Sequence, residues 1–161
     1  MPAPLQDAPP PYACVVFDCD STLSEIEGID ELAGPRVDEI AALTARAMSG
    51  ELPLEAVYGA RLELLKPDRA AVERVAGLYA ERALPHAAEL VAALRALGKR
   101  VAVVSGGLRE AVEPFARGLG IAEDEVHAVS ARFDASGAYA GFDENSPLAR
   151  SGGKPPVVER I

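Results

Sequence analysis

Ala13-Cys-Val-Val-Phe17 runs straight into Asp18-Cys-Asp20-Ser-Thr22, and this stretch decides the fold. A short apolar run with adjacent valines suits a strand buried on both faces better than a helix. The run ends abruptly in a carboxylate. Two carboxylates two residues apart point roughly the same way while strand geometry persists. Crowded carboxylates titrate apart, which suits one nucleophile and one acid–base group. The same residues also make an ordinary turn with a helix cap, since Asp and Ser are common after a strand.

Working outward, a second strand is predicted at Arg100-Val-Ala-Val-Val104, followed by Ser105-Gly106-Gly107, and a third within 125–130 around Val126 and Val129. Before the second, Ala87, Leu90, Val91, Leu94 and Leu97 recur at helical spacing, and Gly98 suits the C-terminal stop. After it, Leu108, Val112, Phe115 and Leu119 do the same. Strands alternating with such helices predict a doubly wound, Rossmann-like parallel α/β sheet.

Residues 25–82 read as helices only, broken at Gly34-Pro35, Ser49-Gly50 and Lys66-Pro67. They are predicted to form a helical cap inserted after strand one, so that the α/β core comprises 12–24 and 83–161. Ligands bind outside the C-terminal ends of parallel strands, which places the insert as a lid. Phe133 and Tyr139 flank Asp134-Ala-Ser-Gly137, a hairpin pattern with a Gly-containing turn. Ser151-Gly-Gly-Lys154-Pro-Pro opens a last helix, whose first turn tolerates proline. Residues 1–11 carry five prolines and no Lys or Arg, and read as a disordered tail without the regions of a signal peptide.

The balance of 16 basic and 25 acidic residues argues against a nucleic-acid partner. A small phosphorylated substrate needs only a few local cations. No apolar stretch is long enough to span a membrane. Cys14 and Cys19 have no zinc-ligand spacing and read as small buried hydrophobes in a reduced, cytoplasmic protein. Aromatics make up 5% of the chain and Trp is absent, so the core is built from Ala, Val, Leu and Ile.

Several further residues invite a chemical reading. The glycines of Ser105-Gly106-Gly107 let backbone approach an anion at a helix start; they equally suit a plain tight turn. Ser151-Gly-Gly-Lys154 repeats that logic with a cation, or leaves a solvated lysine in a loop. Arg61 lies in the apolar stripe of its helix between Val57 and Leu65, so it either meets an anion or snorkels outward. Glu27 follows Ser24 by three, which fits a capping box as well as a ligand role. His86 and His127 have no Ser or Cys nucleophile pattern beside them and read as structural or exposed.

In that order, Phe17-Asp-Cys-Asp-Ser-Thr-Leu23, Val103-Val-Ser-Gly-Gly107 and Ser151-Gly-Gly-Lys154, separated by a helical insert, resemble the haloacid dehalogenase superfamily. Glu27-Gly-Ile-Asp-Glu-Leu-Ala33, Arg46-Ala-Met48 and Tyr139-Ala-Gly-Phe-Asp143 resemble its phosphoserine phosphatase branch, over residues 13 to 161. The resemblance implies a Mg²⁺-dependent phosphomonoester hydrolase, with phosphoserine the leading substrate. It makes Asp18 the nucleophile and Asp20 the general acid, with both beside the metal. It makes Ser105, Gly106 and Lys154 phosphate ligands, and Glu27 and Arg61 the groups that hold the amino and carboxylate ends of the substrate. The alternatives are a phosphatase or phosphotransferase with another small substrate, and an inactive phosphate-binding remnant. The family's fourth, metal-binding aspartate motif does not occur before Ile161. The chain alone is therefore expected to hydrolyse phosphoserine at a negligible rate, and to associate or aggregate through the apolar edge of strand one. Monomer and homodimer both remain compatible with these features.

Overall fold

The computed structural model describes residues 12–161, apart from the side chains of residues 47, 48, 54 and 55. The predicted tail, 1–11, lies outside the described residues.

Three parallel strands form the core sheet in the order β1-β2-β3: β1 at Cys14–Phe17, β2 at Arg100–Leu108 and β3 at Val126–Val129. Cys14 pairs with Arg100 and Phe17 with Val103; on the other side Val103 pairs with Val126. β2 is the middle strand and is buried from Val101 to Ser105, which explains why its sequence reads as an unbroken apolar run rather than an alternation.

The second strand differs from its prediction at its end. It does not stop at Val104 but continues through Ser105, Gly106 and Gly107 to Leu108. The register shifts on the way, because Val104 pairs with His127 and Leu108 with Val129. Two extra residues bulge out of the ladder there. The hydroxyl of Ser105 accepts the Gly107 N–H at 2.9 Å, giving the bulged backbone a partner. The phosphate-cradle candidate is therefore a strand bulge, and not the turn at a helix N-terminus that the sequence suggested.

The insert leaves the core at Ser24 and returns at Ala83, where the two residues form an isolated antiparallel bridge. Glu25 N–H to Arg82 O and Leu84 N–H to Leu23 O, both at 2.9 Å, close this stem. Inside it lie α1 (Gly28–Glu31), α2 (Val37–Met48), α3 (Leu54–Leu65) and α4 (Arg69–Glu81). Asp68 caps α4 by accepting the Ala71 N–H at 2.7 Å. Although α4 lies within the insert, its buried Val72, Val75 and Tyr79 pack toward α6 (Arg109–Gly118) of the core. α5 (Ala87–Ala96) lies against β2 and ends before Gly98, whose φ of +71° is the left-handed stop predicted.

The hairpin pairs β4 (Ala131–Phe133) with β5 (Tyr139–Phe142). It is tied to the start of α4: Arg69 donates its N–H to Gly137 O at 2.9 Å and lays its guanidinium over the Phe133 ring. The last helix, α7, covers Lys154–Val158 with prolines in its first turn. The core is built as composition requires: Val91, Val101, Val103, Val112, Ile121, Val126 and Val129 are buried, with Phe115 and Tyr79 supplying the ring area.

Candidate active site

A cavity of about 520 Å³ opens beyond the C-terminal end of β1, within the range of small-molecule sites. Its lining includes Asp18 and Asp20 from the turn after β1, Glu27 and Gly28 at the start of α1, Tyr58 and Arg61 from α3, Gly106 from β2, and the loop from Leu148 to Lys154. The strand ends, the cap and the final loop thus converge on one space.

Asp18 and Lys154 form an ion pair across 136 residues of sequence. The other oxygen of Asp18 accepts the Cys19 N–H at 2.8 Å. Asp20 is held more completely. Its Oδ1 accepts the Gly28 N–H at 2.8 Å and the Tyr79 hydroxyl at 2.5 Å, and its Oδ2 receives the Ser105 hydroxyl at 3.2 Å. Cys19, fully buried between the two carboxylates, has its thiol pushed up by burial and then by the charges of Asp20 and Asp18, so it stays protonated.

Six predicted groups, Asp18, Asp20, Glu27, Arg61, Gly106 and Lys154, line the cavity together. Ser105 stands one layer behind, fully buried, its hydroxyl spanning Asp20 and the Gly107 N–H. The capping-box reading of Ser24 and Glu27 does not hold: Ser24 donates to Arg82 O at 3.0 Å, and Glu27 accepts the Ser21 hydroxyl at 2.7 Å. That leaves the Glu27 carboxylate at the rim. Arg61 has found an anion, Asp30 of α1, but its buried Nε has no hydrogen-bond partner. His86 is exposed beside Glu89 and does not line the cavity.

Tyr58 and Tyr79 were not singled out from the sequence. A phenol inside an apolar helical stripe is the signal that was available, because a buried hydroxyl needs a partner. Tyr58 donates to Gly106 O at 2.8 Å. Burial, and then the charge of Asp20, raises both phenols, so both are donors at any ordinary pH.

A divalent cation here would meet Asp18 more readily than Asp20. Each oxygen of Asp18 has one protein partner, the Cys19 N–H and the Lys154 ammonium, whereas the two oxygens of Asp20 share three donors. Among the described residues no group of three or more His, Cys, Asp or Glu is placed to hold a metal. Mg²⁺ is commonly held by one or two carboxylates together with substrate phosphate and water. The donor set fits an ion shared with a bound phosphate, and does not fit an all-protein cage. Among the described residues no helix is long and apolar enough to cross a membrane.

The chain is 44% identical over 149 residues to the chloroplastic phosphoserine phosphatase of Arabidopsis thaliana, covering 91% of this chain and 50% of that protein. It is 41% identical over 150 residues to the phosphoserine phosphatase of Homo sapiens, covering 91% and 66%. It therefore spans only half to about two thirds of these relatives. A solved phospho-aspartyl intermediate analogue of phosphoserine phosphatase superposes with a TM-score of 0.73 at 32% identity, covering 92% of this chain and 70% of the other. Residues 15–150 match the haloacid dehalogenase-like hydrolase family, and the chain, with its strand-end Asp18 facing Lys154, belongs to that family.

Proposed function

We propose that this chain carries the catalytic face of a Mg²⁺-dependent phosphomonoester hydrolase that works through an aspartyl-phosphate and converts phosphoserine to serine and phosphate. The observation that carries the reading is the Asp18–Lys154 pair beside Gly106: a carboxylate fit to attack and a cation fit to hold phosphate share one cavity.

Asp18 attacks phosphorus, the phosphorus–oxygen bond to serine breaks, and Asp20 gives the departing oxygen its proton. Water then attacks the aspartyl-phosphate, passes a proton to Asp20, and releases phosphate. Lys154 and the Gly106 backbone hold the phosphoryl oxygens. Ser105 supports this from behind by fixing Asp20 and the bulge. Mg²⁺, held at Asp18 with Asp20 beside it, would offset negative charge on the phosphoryl group. Arg61 suits the substrate carboxylate, and its unpartnered Nε is a donor that a ligand can satisfy. Glu27, at the rim, suits the ammonium. The names of the relatives support phosphoserine over other small phosphomonoesters. Cytoplasmic placement is part of the reading and is supported by two free cysteines among the described residues.

The test is Asp18→Asn. Turnover should disappear while inorganic phosphate still binds, and labelled substrate should mark Asp18 in the unsubstituted chain. A label on Ser21, Thr22 or Ser105 instead overturns the assignment.

A further inference from the structure

Oδ1 of Asp20 is gripped from two directions, by the Gly28 N–H at 2.8 Å and the Tyr79 hydroxyl at 2.5 Å. The first donor is local, eight residues away. The second crosses 59 residues, from α4 to the turn after β1. Tyr79 is fully buried, and its ring stacks on Phe115 with centroids 5.5 Å apart and planes 18° apart. The ring is therefore fixed by core packing and not by the site it serves.

Residue 28 is shaped around the same hydroxyl. A Cβ at Gly28 would lie 2.1 Å from the Tyr79 Oη and 2.7 Å from its Cζ. No side chain fits there while the phenol reaches Asp20. With two donors on Oδ1 and a single longer one at 3.2 Å on Oδ2, the two carboxylate oxygens are unequal. Oδ2 keeps the spare capacity.

We infer that Tyr79 is a positioning residue, which locks the Asp20 carboxylate through Oδ1 and leaves Oδ2, whose one protein donor is the longer Ser105 hydroxyl bond, as the oxygen that exchanges a proton with the leaving group. This rests on the role of Asp20 proposed above. Tyr79 is buried outside the cavity lining and reaches the site through Asp20.

The test is Tyr79→Phe in the full chain, which keeps the ring and its stacking on Phe115. Two phosphate esters separate positioning from general damage. Phosphoserine releases an alkoxide that needs a proton; p-nitrophenyl phosphate releases a phenolate that does not. Expected for Y79F is a fall in kcat of about tenfold or more on phosphoserine, with KM within about twofold and p-nitrophenyl phosphate turnover within about threefold. A crystal structure of Y79F should show the Asp20 carboxylate rotated away from the Gly28 N–H. Equal losses on both esters, or an Asp20 unmoved in Y79F, overturn the inference. If the unsubstituted chain turns over neither ester, the crystal comparison alone decides: an Asp20 unmoved in Y79F overturns the inference, while the functional reading is decided separately by labelling of Asp18. Should Y79F not fold, Phe115→Leu, which removes the ring that fixes the Tyr79 phenol and lies outside the cavity lining, carries the same two-ester comparison.

Discussion

The Tyr58 hydroxyl donates to the carbonyl oxygen of Gly106 at 2.8 Å, joining cap helix α3 to the bulge of β2. Phe142 of the hairpin braces Tyr58 from the side, with ring centroids 5.4 Å apart. The bond is a single latch between the cap and the wall that would hold phosphate. Tyr58→Phe removes the latch and keeps the brace. One neutral hydrogen bond is worth about 1 kcal/mol, so KM for phosphoserine should rise roughly fivefold while kcat changes little. Steady-state kinetics check this; an unchanged KM would mean that Tyr58 only packs.

Arg61→Ala addresses substrate choice. A charge-assisted contact to a carboxylate is worth about 1.5–3 kcal/mol. The specificity constant for phosphoserine should fall by that amount, while that for a phosphomonoester without a carboxylate falls much less. Asp30, which loses its partner, is half exposed and easily solvated, so folding should be little affected. Equal losses on both substrates would make Arg61 a structural residue that serves Asp30.

How much of this was legible from the residues alone depended on whether the signal was local. β1 is legible from its apolar run stopping at Asp18, but its burial is not: all four of its residues are half-buried, at the edge of the sheet of described strands, where the run predicts a strand buried on both faces. Gly98 marks the end of α5 because a left-handed helix stop favours glycine whatever the tertiary context. The end of β2 is not legible, because the bulge depends on pairing with β3, which no local pattern encodes. The sequence does not decide between cap and ligand for Glu27, because Ser24 turns toward Arg82, a partner 58 residues away. Tyr58 and Tyr79 were invisible as site residues for the same reason: each phenol's partner lies 48 or 59 residues off, and a stripe shows only that the residue is buried.

Stability should fall on the alkaline side in a way that Tyr58 partly controls. Burial, then the charge of Asp20, raises this phenol above its ordinary value of 10.0 in the folded chain. The folded form holds the proton after the unfolded form has lost it. The contribution is therefore full below about pH 10 and is lost as pH rises through the higher folded value. Tyr79 acts in the same direction, so Tyr58→Phe should remove part of the alkaline slope and leave stability at pH 7 to 9 nearly parallel to that of the parent. Urea unfolding at pH 8, 9.5 and 11 measures it; identical slopes would show that Tyr58 ionises normally.

Gly153 decides where Lys154 stands. It is buried, with φ of −77°, so left-handed backbone is not what requires a glycine there. What requires it is space. A Cβ would lie 1.7 Å from Pro147 O, 2.4 Å from Pro147 C and 3.1 Å from Arg150 O. All three are backbone atoms, and none can step aside as a side chain can. Gly153→Ala must push the loop from Ser146 to Gly153 outward, along with the buried Leu148 and Ala149 that line the cavity. Lys154 follows directly and is drawn off Asp18. Overpacking of this kind costs about 1–3 kcal/mol, and inorganic phosphate binding should weaken beyond what that loss explains. Gly152→Ala is the control. Its φ of +68° makes alanine strained, but the space around it is open. It should cost about 1 kcal/mol of stability and leave phosphate binding intact. Thermal melts with phosphate titrations on both variants decide the matter. If G153A melts with the parent and binds phosphate as well, the loop yields without moving Lys154, and the close contact with Pro147 does not set the position of the cation.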